Sequence, residues 1–407
     1  MDESTKPAQP KVQPYAWLIL VIVFLASFVA PMAQFKVTTL SSWLLPAFGM
    51  DMATFGWLMS SLTICGVLLA FPAAWICGKL GLKNAILIST AFIGVGSLLG
   101  ALTDSIQLLF VSRALEGCGI AFIGVSAPTA LSVWFPEGRR ALPLAIWCTW
   151  MPLGTTVMLL VAPPIAEALG FKAVWWVCVL AAVIAFLLVL ALFKMPKDYT
   201  IEESETQRKG FFKEGLKYLK NKEIWLLVVL FFCFNFVCNG VFMSYYPAYM
   251  EQAMGFTPAE AGGTTSVMAI LTIVIMPIMG AVYDFLKKRK VFVFAALAFC
   301  TVAVGFAFQE SSVAMVWACV IVFGIAGGLV ASGTRPMTPE IMEKHGIGAL
   351  GIAMGMGAMQ VAQNLGPTIG APLFGSFVDS IGWFSAGLFC VPVLLVAVVC
   401  LVFIKVK

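Results

Sequence analysis

The chain has 407 residues, 61% of them hydrophobic and 11% charged, with a formal net charge of +5. A soluble globule carries about a quarter charged residues, so this composition excludes one and places the chain in a bilayer. Nor does the positive charge point to nucleic acid, because the bases are spread over loops instead of gathered on one face among aromatics.

Residues 1–15 are polar, and the apolar run after them is too long for a signal-peptide core and lacks a small-residue cleavage site; a retained cytoplasmic tail is expected. Apolar segments follow at 16–46, 54–77, 84–103, 106–135, 141–168 and 174–194, then at 224–250, 257–283, 291–309, 312–343, 349–375 and 384–405. Stretches of about 20 apolar residues cross the hydrocarbon as helices, and the short alternating strands of a membrane barrel are absent. The expected fold is therefore an all-α membrane protein. Twelve transmembrane helices form two pseudo-symmetric six-helix bundles, 16–194 and 224–407. The linker 195–223 carries Phe211, Phe212, Leu216 and Leu219 among Lys213, Lys217 and Lys220, the pattern of a basic amphipathic helix on the membrane surface. All eleven cysteines lie in apolar segments and read as packing residues, not disulfide partners or metal ligands.

Of the 25 Lys and Arg residues, all but Lys36, Arg113, Lys172 and Arg335 fall at segment ends that share one side of the membrane. Bases accumulate in cytoplasmic loops, so both termini are expected inside the cell (inner) membrane. Lys172 sits in an outer loop and needs only water. The other three lie within segments, where a charge costs roughly 2.5–3.5 kcal/mol and usually turns toward a cavity or a partner. Lys36, beside Gln34, Thr38 and Thr39, either snorkels to the outer interface or lines a wet cavity. Arg113 has Glu116 one turn on, which makes either an internal pair or an anion ligand partly balanced by that carboxylate. Arg335 lies nearer the inner end of its helix and suits a pocket or an inner gate. One carboxylate against three cations favours an anionic substrate. Neutral groups able to complete a pocket are Asn235, Asn239, Tyr245, Gln360, Gln363 and Asn364, each of which could instead satisfy a neighbouring helix. The only His, His345, lies in a loop, leaving Glu116 as the intramembrane proton-coupling candidate.

The halves resemble each other at an offset of about 208 residues, pairing Pro128 with Pro336, Gly119 with Gly327, Pro164 with Pro372 and Met151 with Met359. The loop from Gly78 to Lys83 matches that from Asp284 to Arg289. Several motifs follow the same division. The first loop is similar to Gly-x-x-x-Asp-x-x-Gly-Arg-Lys, with Ala74, Gly78, Gly81, Leu82 and Lys83 at those positions, so its acid and Arg are lost. Its second copy keeps Gly280, Asp284, Lys288 and Arg289, with Lys287 in place of the later Gly. The fourth segment shows Arg113-x-x-x-Gly117-x-Gly119 and ends in Trp134-Phe135-Pro136-Glu137-Gly138-Arg139-Arg140. Segment seven ends in Tyr246-Pro247-Ala248-Tyr249, and segment eleven contains Asn364-Leu365-Gly366-Pro367. In this order the motifs resemble the major facilitator superfamily, and Lys36 stands about where some organic-anion carriers of that superfamily place an Arg.

The resemblance implies a secondary active transporter working by alternating access, with its substrate between the bundles. A small carboxylate-type anion is the expected cargo, moved by proton symport or anion exchange. A multidrug or metabolite efflux carrier and an inorganic oxyanion transporter, such as one for nitrate, remain alternatives. Gly81, Lys83, Arg139, Arg140, Asp284, Lys288 and Arg289 are expected to form the cytoplasmic gate, with Asp284 facing Arg139 and Arg140 or the start of the fifth helix. No phosphate-loop motif, catalytic triad or metal cluster is present in the sequence, so neither an enzyme nor a cofactor is expected, and the carrier is expected to work as a monomer.

Overall fold

The computed structural model describes residues 13–135, 139, 141–196, 221–286, 288–309, 312–344 and 349–405. The tail through Val12, residues 197–220 with the expected amphipathic helix, and His345 lie outside the described residues.

The first apolar segment forms two helices. Helix α1 (Pro14–Phe35) opens on Pro14, where a missing amide is harmless. A turn over 36–40 follows, in which Thr38 and Leu40 bond back only three residues, and α2 (Ser41–Phe48) completes the span to Gly49, whose φ of 60° needs a residue without Cβ. Next come α3 (Met52–Leu80), α4 (Leu82–Leu102) and α5 (Ile106–Trp134). The fifth span is α6 (Ala141–Cys148) with α7 (Trp150–Leu169), and the sixth is α8 (Lys172–Leu192). The seventh runs through α9 (Lys222–Asn235), a π-helical segment (Phe236–Phe242) and α10 (Met243–Met254). It is followed by α11 (Pro258–Leu286), α12 (Arg289–Ala307) and α13 (Val313–Lys344), and then by α14 (Ala349–Phe403). The last is 55 residues long and breaks at Gly382 (φ 79°), which divides it into spans eleven and twelve.

Twelve crossings put Gln13 and Lys405 on one face, called here the terminal face; the other is the far face. The halves repeat in three dimensions. Helix α3 packs on α5 as α11 packs on α13, and α4 packs on α8 as α12 packs on the last part of α14. Two joints connect the halves, α3 against α14 and α7 against α11, and a pseudo-two-fold exchanges them. Close approach inside each half depends on small residues. Gly117 of α5 lies on the Leu62 carbonyl of α3, and Gly324 of α13 lies on Leu271 of α11. The outer faces of α8 and α12 expose Leu180, Leu187, Phe299 and Val302, a belt suited to lipid.

Candidate substrate and coupling sites

The break after α1 does two things at once. It turns Lys36 into the first half, and it leaves the last carbonyls of α1 without their usual donors. Arg113 of α5 takes those carbonyls: its NH1 donates to Ala33 O at 2.5 Å and its NH2 to Gln34 O at 2.9 Å. A cation at a helix C-terminus is also favoured by the helix dipole. The same NH1 donates to Glu116 Oε2 at 2.5 Å. On its other oxygen, Oε1, Glu116 accepts from the Lys36 ammonium and from Ser97 Oγ, the latter at 2.6 Å. Lys36 also donates to Ser97 Oγ at 3.2 Å and lies 4.9 Å from the centre of the Trp175 ring.

Lys36, Arg113, Glu116 and Ser97 are fully buried among α1, α4, α5 and α8. The pair Arg113–Glu116 forms, and Lys36 joins it from 80 positions away instead of standing free in a cavity. Ser97 and Trp175 escape the sequence reading because a lone Ser or Trp in an apolar run carries no signal. A trace exists in Gly96-Ser97-Leu98-Leu99-Gly100: a methyl group on Gly96 would meet Glu116, and one on Gly100 would meet the Trp175 indole.

The second site lies between the halves. Arg335 of α13 is half-buried and its NH2 donates to Gln363 Oε1 of α14 at 2.8 Å. Cys148, on α6 in the other half, lies within its electrostatic reach. Among the described residues no carboxylate comes within 4.0 Å of Arg335, which sets it apart from Lys36 and Arg113. On the same helix as Gln363, Gln360 is exposed and Asn364 half-buried, and the three share one face. In the seventh span Asn239 Nδ2 donates to Asn235 Oδ1 at 2.7 Å, and Asn235 Nδ2 to Phe231 O at 2.8 Å. These two Asn flank the start of the π-helical segment, a distortion often found at functional sites. That segment lies directly against Gly366 and Gly370 of α14.

Tyr245 does not join this group. Its buried hydroxyl sits 2.9 Å from Met52 O and 2.8 Å from Ala371 O, so it closes the far-face joint between α3 and α14. The expected gate residues stand as follows. Gly81 (φ 81°) ends α3, and Lys83 Nζ donates to Leu190 O of α8 at 2.8 Å, within the first half. Arg289 forms an ion pair with Glu340, within the second half. Arg139 and Lys288 are exposed, while Arg140 and the Asp284 side chain lie outside what is described. Lys172, on the far face, pairs with Asp104 at 2.6 Å.

Two bundles related by a pseudo-two-fold, a closed ionic cluster in one and an arginine between them with no carboxylate within 4.0 Å among the described residues, fit a membrane carrier. The chain belongs to the Major Facilitator Superfamily, whose family pattern matches residues 23–358 and 240–407. It is 26% identical over 340 residues to the lysosomal dipeptide transporter MFSD1 of Gallus gallus, covering 78% of this chain and 74% of that protein. It is 24% identical over 352 residues to the hexuronate transporter of Bacillus subtilis (strain 168), covering 81% and 80%. In three dimensions it is similar to a bacterial homologue of the human lysosomal transporter Spinster, solved in an inward-facing, unoccupied conformation: TM-score 0.75, 15% identity, 97% of this chain and 95% of that one. The chain is a multi-pass secondary transporter.

Proposed function

We propose that this carrier moves a small carboxylate-type organic anion across the cell membrane by alternating access, with Arg335 as the anchor of the anion. The observation that carries the reading is Arg335 itself, half-buried between the halves, held in place by Gln363 and, among the described residues, left without a carboxylate. A guanidinium in that position gains most from a planar oxyanion that can accept two parallel hydrogen bonds. Gln360, Asn364 and Asn239 line up as polar groups to orient the rest of the molecule. A hexuronate, named for one relative, is an anion of this kind, and a dipeptide, named for another, also carries a carboxylate. The cluster of Lys36, Arg113 and Glu116 is the coupling element, with Glu116 taking up the proton in symport or releasing its cations to a second anion in exchange. Both termini face the cytoplasm on this reading.

The test is uptake into proteoliposomes of D-glucuronate, lactate, succinate, nitrate and glycyl-leucine, with and without a pH gradient. Saturable uptake of at least one carboxylate is expected. In Arg335→Ala its KM should rise by roughly 10- to 100-fold, the loss of one or two charged hydrogen bonds, and Arg335→Lys should fall between the two. Transport of only neutral or cationic compounds would overturn the reading. The role of Glu116 fails separately if Glu116→Gln still accumulates substrate in response to the pH gradient.

A further inference from the structure

Among the described residues, the hydrogen bonds that join the two halves all lie between the middle of the spans and the far face. Ser60 Oγ reaches Pro367 O at 3.4 Å, Thr368 Oγ1 reaches Thr63 Oγ1 at 2.8 Å, and Tyr245 bridges Met52 and Ala371. The last two come from a single carboxylate. Asp379, on α14 just before the break at Gly382, accepts from the Met52 amide at 3.2 Å and the Ala53 amide at 2.8 Å.

These are the first two amides of α3, which no carbonyl within the helix can satisfy. Helix α3 already has a cap of its own, since Asp51 accepts from the Thr54 amide at 2.7 Å. Asp379 takes the amides that Asp51 leaves open, and it does so from the other half of the molecule. A second carboxylate repeats the arrangement. Glu251, near the end of α10 in the second half, faces the Ser42 amide and the Ser41 and Ser42 hydroxyls at the start of α2 in the first half. The N-cap position of α2 is held by Leu40, whose side chain cannot cap the helix. This arm is the looser one, because neither Glu251 oxygen closes a hydrogen bond within 3.5 Å. Beside it, Ser41 Oγ and Thr39 Oγ1 are fully buried and unpartnered.

Neither Asp379 nor Glu251 has a Lys or Arg within 4.0 Å among the described residues, so what each carboxyl group faces is a helix end. A negative charge at a helix N-terminus is stabilising because it faces the partial positive charge of unsatisfied amides. We propose that Asp379 and Glu251 are the two arms of a latch that holds the far side of the carrier shut, each set against a helix N-terminus of the opposite half. Both arms release to water without leaving a buried charge behind. Such a contact can therefore break and re-form in every transport cycle. The latch is independent of which substrate the carrier moves, and its test needs none.

The test is hydrogen–deuterium exchange on purified full-length protein in nanodiscs, comparing wild type with Asp379→Asn, Glu251→Gln, the double variant and Asp379→Glu. Each single neutral variant is expected to speed exchange roughly fivefold or more in residues 49–58 and 371–382, the double variant further, and Asp379→Glu little. Residues 293–304 of the peripheral α12 should stay as in wild type. The Glu251→Gln result decides between a latch and a local cap, because Glu251 touches neither reporting segment. Unchanged exchange there in Glu251→Gln, or an effect of Asp379→Asn confined to residues 52–54, would overturn the proposal. Should Asp379→Asn loosen α12 as well, Glu251→Gln read at the same two segments still settles it.

Discussion

Glu116 is a single carboxylate held by three donors, Lys36, Ser97 and Arg113, with no water-exposed surface on any of them. The imbalance between two cations and one anion makes the members unequal in what their loss would do. Glu116→Gln leaves two buried cations facing each other and should destabilise the protein by about 3–5 kcal/mol, the usual result of stripping one partner from a buried ion pair. Lys36→Met leaves the neutral pair of Arg113 with Glu116 and a long apolar side chain against Trp175, so its cost should be clearly smaller. Thermal unfolding in detergent checks the order, and equal losses would mean that the cluster is not governed by its charge balance. The partnership of Arg113 with Glu116 was legible in the sequence, because a spacing of three on a helix brings side chains together. That of Lys36 was not: it depends on a helix break and on four spans meeting, neither of which periodicity encodes. For the same reason the two sequence readings of Lys36, a snorkelling side chain or the wall of a wet cavity, both miss its ion pair with Glu116.

At the scale of elements, apolar runs and loop charges located the spans, since those features reflect the bilayer itself. The breaks within spans were harder to read. The turn over 36–40 has no Gly or Pro to announce it, and a single residue, Gly382, separates spans eleven and twelve. The internal repeat was visible, yet pairing Gly119 with Gly327 joins two glycines with different neighbours, Ser89 and Ile93 of α4 for one and Thr272 of α11 for the other. Gly117 and Gly324 make the more similar contacts, both set against the preceding helix but one of their own half, and they are not equally tight. A methyl group on Gly117 would drive into the Leu62 carbonyl, a backbone atom that cannot yield, whereas one on Gly324 would sit 2.9 Å from Leu271 Cβ and 3.0 Å from Met268 O. Gly117→Ala is therefore expected to lose about 1–3 kcal/mol and Gly324→Ala less, measured as the shift in unfolding temperature. A larger loss at Gly324 would show that the first half accommodates the methyl by moving α5 away from α3.

For the molecule as a whole, the far side is sealed by α3 against α14, and the contacts described near the terminal face, such as Lys83 with Leu190 and Arg289 with Glu340, stay within one half. With the far side held in this way, the space around Arg335 is expected to open toward the terminal face. Helix α6 begins at that face, which puts Cys148 about 10 Å in at 1.5 Å per residue, and Arg335 lies about 14 Å from the end of α13 on the same side. Of the eleven cysteines only Cys148 is exposed; the others are buried or half-buried. The natural chain therefore carries its own reporter of this opening. A membrane-impermeant maleimide is expected to modify Cys148 when applied from the side of the termini and not from the other, with Cys148→Ser removing most of the label. If bases mark the cytoplasm, inside-out vesicles will label and intact cells will not. A transported anion bound at Arg335 should slow the reaction, while one that is not transported should leave it unchanged. Labelling from the far face would mean that the site opens the other way in the membrane, or that the chain is inserted in reverse, and an N-terminal epitope tag tells these apart. Labelling from the terminal face that no anion slows would separate Cys148 from the substrate path and leave Arg335 as a structural partner of Gln363.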